Sequence, residues 1–215
     1  MIVIIDYGMG NLWSVSNAFI RYTDEVRVSS YPRDVASADK LVLPGVGAFK
    51  NGYGELERRG LIEHIKNFIK SGKPFLGICL GMQLLFTKSY EDGEHKGLGI
   101  IDGEVVAFDK TMGLKVPHMG WNTINQNSKI KNQNLEIENQ KCSLLEEVPD
   151  DAYMYFVHSY YGVPTDEKVV ATRTEYGVNF CSSLCKNNIY ATQFHPERSQ
   201  SAGLKIIENF VKVKT

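Results

Sequence analysis

The heptapeptide Gly77-Ile78-Cys79-Leu80-Gly81-Met82-Gln83 sets one cysteine between glycines two residues to either side. A thiol becomes a useful nucleophile as thiolate, which needs a positive field and access for a substrate. A strand-to-helix turn offers both, because it exposes the side chain and aims the N–H groups of the following helix at it. Glycines at 77 and 81 would remove side chains that collide where a strand bends against a helix. The spacing is that of the G-x-S-x-G elbow of hydrolases, with cysteine in place of serine. The N–H of Leu80 would then face an oxyanion developing on a substrate carbonyl. A buried structural cysteine among packing glycines would give the same heptapeptide, so this stretch alone decides nothing.

A second stretch, Phe194-His195-Pro196-Glu197-Arg198, follows an apolar-aromatic run. His195 and Glu197 are two apart and share one side of an extended chain. A histidine near its ordinary pKa of about 6.5 can take a proton from a thiol and return it to a leaving amine. Glu197 could hold the imidazole in the right tautomer and stabilise its cation. Only the fold could unite this pair with Cys79. A third stretch, Pro44-Gly45-Val46-Gly47, also follows an apolar run. Parallel strands place their C-terminal ends on one edge of a sheet, so this loop and Cys79 would emerge as neighbours. Its glycines would let a backbone N–H swing toward the nucleophile.

The elements that must position these groups are legible as well. Ile2-Val3-Ile4-Ile5 is a continuous β-branched run, suited to a strand buried on both faces. Residues 12–21 carry helical spacing, and 26–28 and 41–43 read as strands. Residues 56–69 read as one amphipathic helix, 74–79 as a fourth strand, and 82–86 as the first turns of a helix. This alternation predicts an α/β fold with a mostly parallel central sheet flanked by helices. Residues 103–108, 153–157, 169–172 and 189–194 read as strands without helices between them, and 202–211 as a closing helix. The segment 122–141, rich in Asn, Gln and Lys, reads as a surface loop or solvated hairpin. No repeat or long linker divides the chain, which predicts one domain over residues 1–215.

With 215 residues, 43% hydrophobic and 23% charged, the composition is that of a globular protein with one substantial core. A net charge of −1 gives no electrostatic case for nucleic acid or an anionic membrane. MIVIIDYG does not read as a signal peptide, and no apolar stretch approaches the roughly 20 residues of a membrane span. The four irregularly spaced cysteines read as reduced thiols of a cytoplasmic protein.

GICLGMQ with FHPER downstream resembles the class I, triad-type glutamine amidotransferases, in which a cysteine strips ammonia from glutamine. The resemblance extends over DYGMGNL (6–12), LPGVGAF (43–49), GKPFLGICLGMQLLF (72–86), EHKGLGIIDGEVV (94–106), VPHMGWN (116–122), YFVHSYY (155–161) and FHPERS (194–199). It implies the single-domain class I amidotransferase fold with its nucleophile elbow at Cys79. It implies Cys79 as nucleophile, His195 as base and acid, and Glu197 as orienting carboxylate. Gln83 would contact the substrate glutamine, with Gly47, Glu91, His158, Ser159 and Tyr160 toward its amino-acid end. Leu80, with Gly45 or Val46, would donate to the oxyanion. No cofactor or metal is implied. PGVG, PHMGWN and YFVHSYY point to the branch that works as a heterodimer with a (βα)₈-barrel cyclase of histidine biosynthesis. Gly10 and Asn11, with Met119, Trp121 and Asn122, would face that partner; core packing is the plain alternative for Met119 and Trp121. A paralogue supplying ammonia for amidination of a surface sugar would carry the same motifs. A catalytically idle stabilising subunit would have no use for an intact Cys79, His195 and Glu197.

Other signals are weak. Cys181 and Cys185 lack the paired ligands of a metal clip, and DYGMGN lacks the dinucleotide-binding spacing. His64 reads as a solvated helix residue, and His95 and His118 take no catalytic role. The polar stretch 125–140 is longer than the family resemblance implies and could alter the surface near a partner.

Overall fold

The computed structural model describes residues 1–126 and 142–214. Its first strand is the β-branched run Ile2–Ile5 (β1), buried at all four positions. Then follow α1 (Leu12–Ile20), β2 (Val26–Ser29), α2 (Pro32–Ser37), β3 (Lys40–Leu43), α3 (Phe49–Arg58), α4 (Ile62–Lys70), β4 (Phe75–Ile78) and α5 (Leu80–Gln83). The chain continues through β5 (Phe86–Ser89), β6 (His95–Lys96), β7 (Ile101–Ala107), β8 (His118–Thr123), β9 (Asn125–Gln126), β10 (Tyr153–His158) and β11 (Tyr160–Pro164). It ends with β12 (Val170–Glu175), β13 (Asn179–Lys186), β14 (Ile189–Thr192) and α6 (Gln200–Lys212). Most of the polar stretch 125–140 lies outside the described residues.

Among the described residues the main sheet has the order β2-β1-β3-β4-β14-β13-β12-β9. Neighbours from β2 to β14 run parallel, and those from β14 to β9 antiparallel. A smaller sheet has the order β11-β7-β5-β6, and β8 pairs with β10. The alternation in β1 explains its double burial. Val3 and Ile5 join one core with Val35, Leu56, Ile65 and Phe68 of α2, α3 and α4. Ile2 and Ile4 join the opposite core with Val15 and Phe19 of α1 and Ile206 and Phe210 of α6. The result is the mixed α/β arrangement, mostly parallel around β4, that the sequence alternation predicts. No helix among the described residues is long and apolar enough to cross a membrane.

Among the differences from the sequence expectations, three concern helices. The helix read over 56–69 is two, α3 and α4, because Gly60 adopts a left-handed φ of 65°. The bonds Gly60 N–H to Glu57 O (3.0 Å) and Leu61 N–H to Leu56 O (2.9 Å) close α3 in a Schellman motif. The helix read over 82–86 is already finished at Gln83. The carbonyls of Leu84 and Leu85 are taken by the N–H groups of Leu98 (2.8 Å) and Ile100 (2.9 Å), so the chain leaves helical geometry and enters β5. The helix α2 was absent from the sequence reading. Its six residues are too few to show a period, although Pro32 at its start favours a helix there.

Candidate active site

β1, β3, β4 and β14 run parallel, so the loops after them leave the sheet at one edge. The Asp6-to-Asn11 loop, PGVG, Cys79 and His195 therefore converge by topology alone. In the register of β4 with β14, Ile78 lies opposite Thr192, and the Cys79 N–H donates to the Thr192 carbonyl at 2.7 Å. Residues just past each strand end are thus brought side by side.

Cys79 occupies the elbow at φ 54°, ψ −107°, a conformation that costs a non-glycine residue about 1–3 kcal/mol and persists only where the surroundings enforce it. Its neighbours show what enforces it. A Cβ on Gly81 would sit 1.8 Å from the Leu43 carbonyl oxygen of β3, and one on Gly77 would sit 2.8 Å from the Gly81 carbonyl. Strand and helix approach backbone to backbone here, which leaves the elbow no alternative course.

His195 is buried and its Nδ1 lies 2.8 Å from Glu197 Oε1. The carboxylate accepts from Nδ1–H, which leaves Nε2 as the proton-carrying atom. That Nε2 is buried without a hydrogen-bond partner among the described residues. Burial works against the charged imidazolium, but the negative charge of Cys79 and the Glu197 carboxylate outweigh it and hold the His195 pKa above its ordinary value. The chemistry available is a nucleophilic sulfur with an oriented proton carrier.

The Leu80 N–H, expected to face an oxyanion, donates to the Gly45 carbonyl at 3.3 Å. The PGVG loop thus turns an acceptor toward the nucleophile. Gln83 is buried, and its Nε2 donates both to the Tyr160 carbonyl (2.9 Å) and to Gln193 Oε1 (3.0 Å). Glu91 accepts from the Phe49 N–H at 2.6 Å, which ties it to the start of α3 just beyond Gly47. Ser159 offers its carbonyl to the Phe108 N–H at 3.2 Å. Gly10 and Asn11 line a cavity of about 50 Å³ with Gly45, Val46, His195 and Arg198. Met119 and Trp121 are 58% and 45% exposed, so core packing does not explain them.

Both ring nitrogens of His158 are engaged within the protein. Its Nδ1 bonds the Tyr160 carbonyl at 2.9 Å and its Nε2 meets His118 Nδ1 at 3.1 Å. Asn122 Nδ2 reaches His118 Nε2 at 3.3 Å. Both histidines are buried, and burial lowers their pKa values to about 4 for His118 and about 3 for His158. Below pH 6.5 the unfolded chain binds protons that these folded histidines refuse. Stability is therefore expected to fall as pH drops from about 6.5 toward 4, by up to ~2.7 kcal/mol per pH unit for two protons. His195, raised in the folded state, adds no slope in that window. Denaturant unfolding across this range checks the sign, and His118→Phe is expected to remove nearly half of the slope above pH 5. A slope unchanged in that variant would place the acid sensitivity elsewhere.

Gln193 went unnoticed in the sequence. It is fully buried, and its Nε2 lies 3.7 Å from Cys79 Sγ. The period of two that pairs His195 with Glu197 reaches back to Gln193, and this was the available signal.

The family model for class-I glutamine amidotransferases matches residues 3–213. A Syntrophotalea carbinolica protein named imidazole glycerol phosphate synthase subunit HisH is 50% identical, with 98% of each chain covered. The Aquifex aeolicus protein of the same name is 50% identical, covering 97% of this chain and 94% of its own. Among solved structures, PurLQS from Thermotoga maritima superposes with a TM-score of 0.71 at 16% identity, covering 98% of this chain and 96% of that one. The Trypanosoma brucei CTPS glutaminase domain gives 0.65 at 14% identity, covering 98% and 91%. At such identities the two structures speak to the fold alone.

Proposed function

The chain belongs to the class-I glutamine amidotransferase family, and from that premise we infer that it is the glutaminase subunit of an imidazole glycerol phosphate synthase. It hydrolyses L-glutamine to glutamate and ammonia, and the ammonia serves histidine biosynthesis. The observation that carries this reading is 50% identity to proteins so named across almost the entire length of both chains.

The geometry supports the following residue roles. Cys79 Sγ, as thiolate, attacks the glutamine carboxamide carbon, and the carbonyl π electrons move onto oxygen. His195 Nε2 protonates the departing nitrogen, the C–N bond breaks, and ammonia leaves a glutamyl thioester. Water, giving a proton to His195, adds to the thioester. The C–S bond then breaks, releasing glutamate and the Cys79 thiolate. Glu197 keeps the imidazole oriented through both halves. Both hydrogens of Gln83 are taken by Tyr160 and Gln193, so its amide meets substrate only through oxygen. Gly47, Glu91 and the 158–160 segment would hold the amino-acid end.

Ammonia is mostly protonated in neutral water and then is no nucleophile, so it must pass through a space sheltered from solvent. The small cavity lined by His195, Glu197, Gly10 and Asn11 supports an exit on that side. The exposed Met119 and Trp121 support a second docking element, since Met and aromatic residues are enriched at interface cores. The partner in this reading is a (βα)₈-barrel cyclase, and the heterodimer works in the cytoplasm.

The test is glutamate release by the chain alone, with a histidine-pathway cyclase, and with that cyclase plus its nucleotide substrate. Each arm includes a Cys79→Ala control. Activity that needs partner and nucleotide together, and vanishes in the control, is the expected outcome. Silence toward this cyclase, while Cys79 still reacts with an electrophilic glutamine analogue, would keep the glutaminase and move its partner to a sugar-amidating pathway.

A further inference from the structure

We infer that Gln193 acts on the reacting sulfur: its side-chain amide donates to Cys79 Sγ and stabilises the thiolate expelled from the glutamyl thioester. The inference rests on the glutaminase reading and assigns a residue outside the Cys-His-Glu set.

The orientation of the Gln193 amide follows from a chain of obligatory partners. The Tyr160 carbonyl can only accept, so Gln83 must present nitrogen there, at 2.9 Å. The same Gln83 nitrogen meets Gln193 at 3.0 Å, so the facing atom of Gln193 must be its oxygen. That turns the Gln193 nitrogen toward Cys79, where it lies 3.7 Å from the sulfur. The Gln193 backbone is pinned as well, its N–H donating to the Ser182 carbonyl at 2.9 Å. Gln83, Gln193 and Cys79 are all buried, so water does not compete for these groups and the donor is worth more than at a surface.

The two halves of the reaction use such a donor differently. A thiolate that accepts a hydrogen bond is more populated but less nucleophilic, and with a sensitivity of about 0.4–0.5 the two effects oppose one another during attack. Expulsion has no such opposition: as the C–S bond breaks, the electron pair goes to sulfur, and a less basic thiolate leaves faster. His195 is then occupied with the proton taken from water. The Gln193 N–H is in place to meet the charge returning to sulfur.

Gln193→Met keeps the length and removes the donor. It is assayed in the complex with cyclase and nucleotide beside wild type, with melting followed and Gln193→Asn as a second variant should the first not fold. The expectation is a kcat lower by about fivefold, a loss in the range a single ordinary hydrogen bond supplies. KM should fall in parallel, kcat/KM should stay within about threefold, and acid-quenched mass spectrometry should show more glutamyl adduct on Cys79. Labelling of Cys79 by a glutamine chloroketone, which needs attack but no expulsion of sulfur, should proceed within about threefold of wild type. A fall in kcat/KM and labelling together, without adduct, would make Gln193 a mere positioning residue and overturn the inference. Unchanged kcat would overturn it too. Failure of the glutaminase reading looks different, because the wild-type complex itself would then form no adduct.

Discussion

Gly81→Ala is expected to leave a protein that neither labels at Cys79 nor melts like the parent. The methyl group would have to occupy a position 1.8 Å from the Leu43 carbonyl oxygen, and both colliding elements are backbone. Neither can yield by changing a rotamer. β3 is held on both sides by β1 and β4, and the Cys79 N–H is anchored on Thr192. Relief therefore means unseating α5 or breaking the sheet edge, a loss of more than ~3 kcal/mol, beyond ordinary overpacking. Gly54 is the internal comparison. It lies on the exposed side of α3 with nothing within 4 Å of an added Cβ. There the same substitution is expected to raise stability by about 0.4–1 kcal/mol, through helix propensity and a less flexible unfolded chain. Urea unfolding of the two variants separates the effects. A Gly81→Ala protein with parental stability and a reactive Cys79 would refute the backbone-contact account of the elbow.

That elbow was legible because its requirement is written in residue type: only glycine permits such an approach, and it stands at both positions that need it. The double burial of β1 was legible for a similar reason, since four β-branched residues in a row have no polar face to offer water. The break at Gly60 was within reach, because basic residues, a glycine and then a hydrophobic residue form a stop signal that the apolar stripe through 56–69 masked. The early end of α5 was not within reach. Met82 to Phe86 carry helix-compatible residues, and what stops the helix is a competing set of N–H groups from 98–100, far along the chain. The direction of the Gly45 carbonyl was also invisible. A peptide plane can face either way in one sequence, and the choice rests on a single bond to Leu80.

That choice sets the final prediction: glutamine hydrolysis by the isolated chain should be slower than in the activated complex by about 10²–10³-fold, the value of one oxyanion donor. In the resting loop the Gly45 carbonyl accepts from the Leu80 N–H, so an oxyanion would meet an acceptor and lose a donor at once. Rotating the peptide between Gly45 and Val46 exchanges that carbonyl for the Val46 N–H and frees Leu80. The rotation moves φ of Val46, which stays out of the left-handed region in the resting loop, toward positive values. For a β-branched residue this costs about 1–2 kcal/mol, which glycine avoids. Val46→Gly is therefore expected to raise the partner-free rate about tenfold, the equivalent of about 1.4 kcal/mol, while leaving the complex nearly unchanged. Val46 is exposed, so the substitution removes little packing. A partner-free rate identical to that of the parent would show that the loop is not what silences the subunit. A raised rate with reduced stimulation by the cyclase would identify docking as the step that selects the rotated peptide.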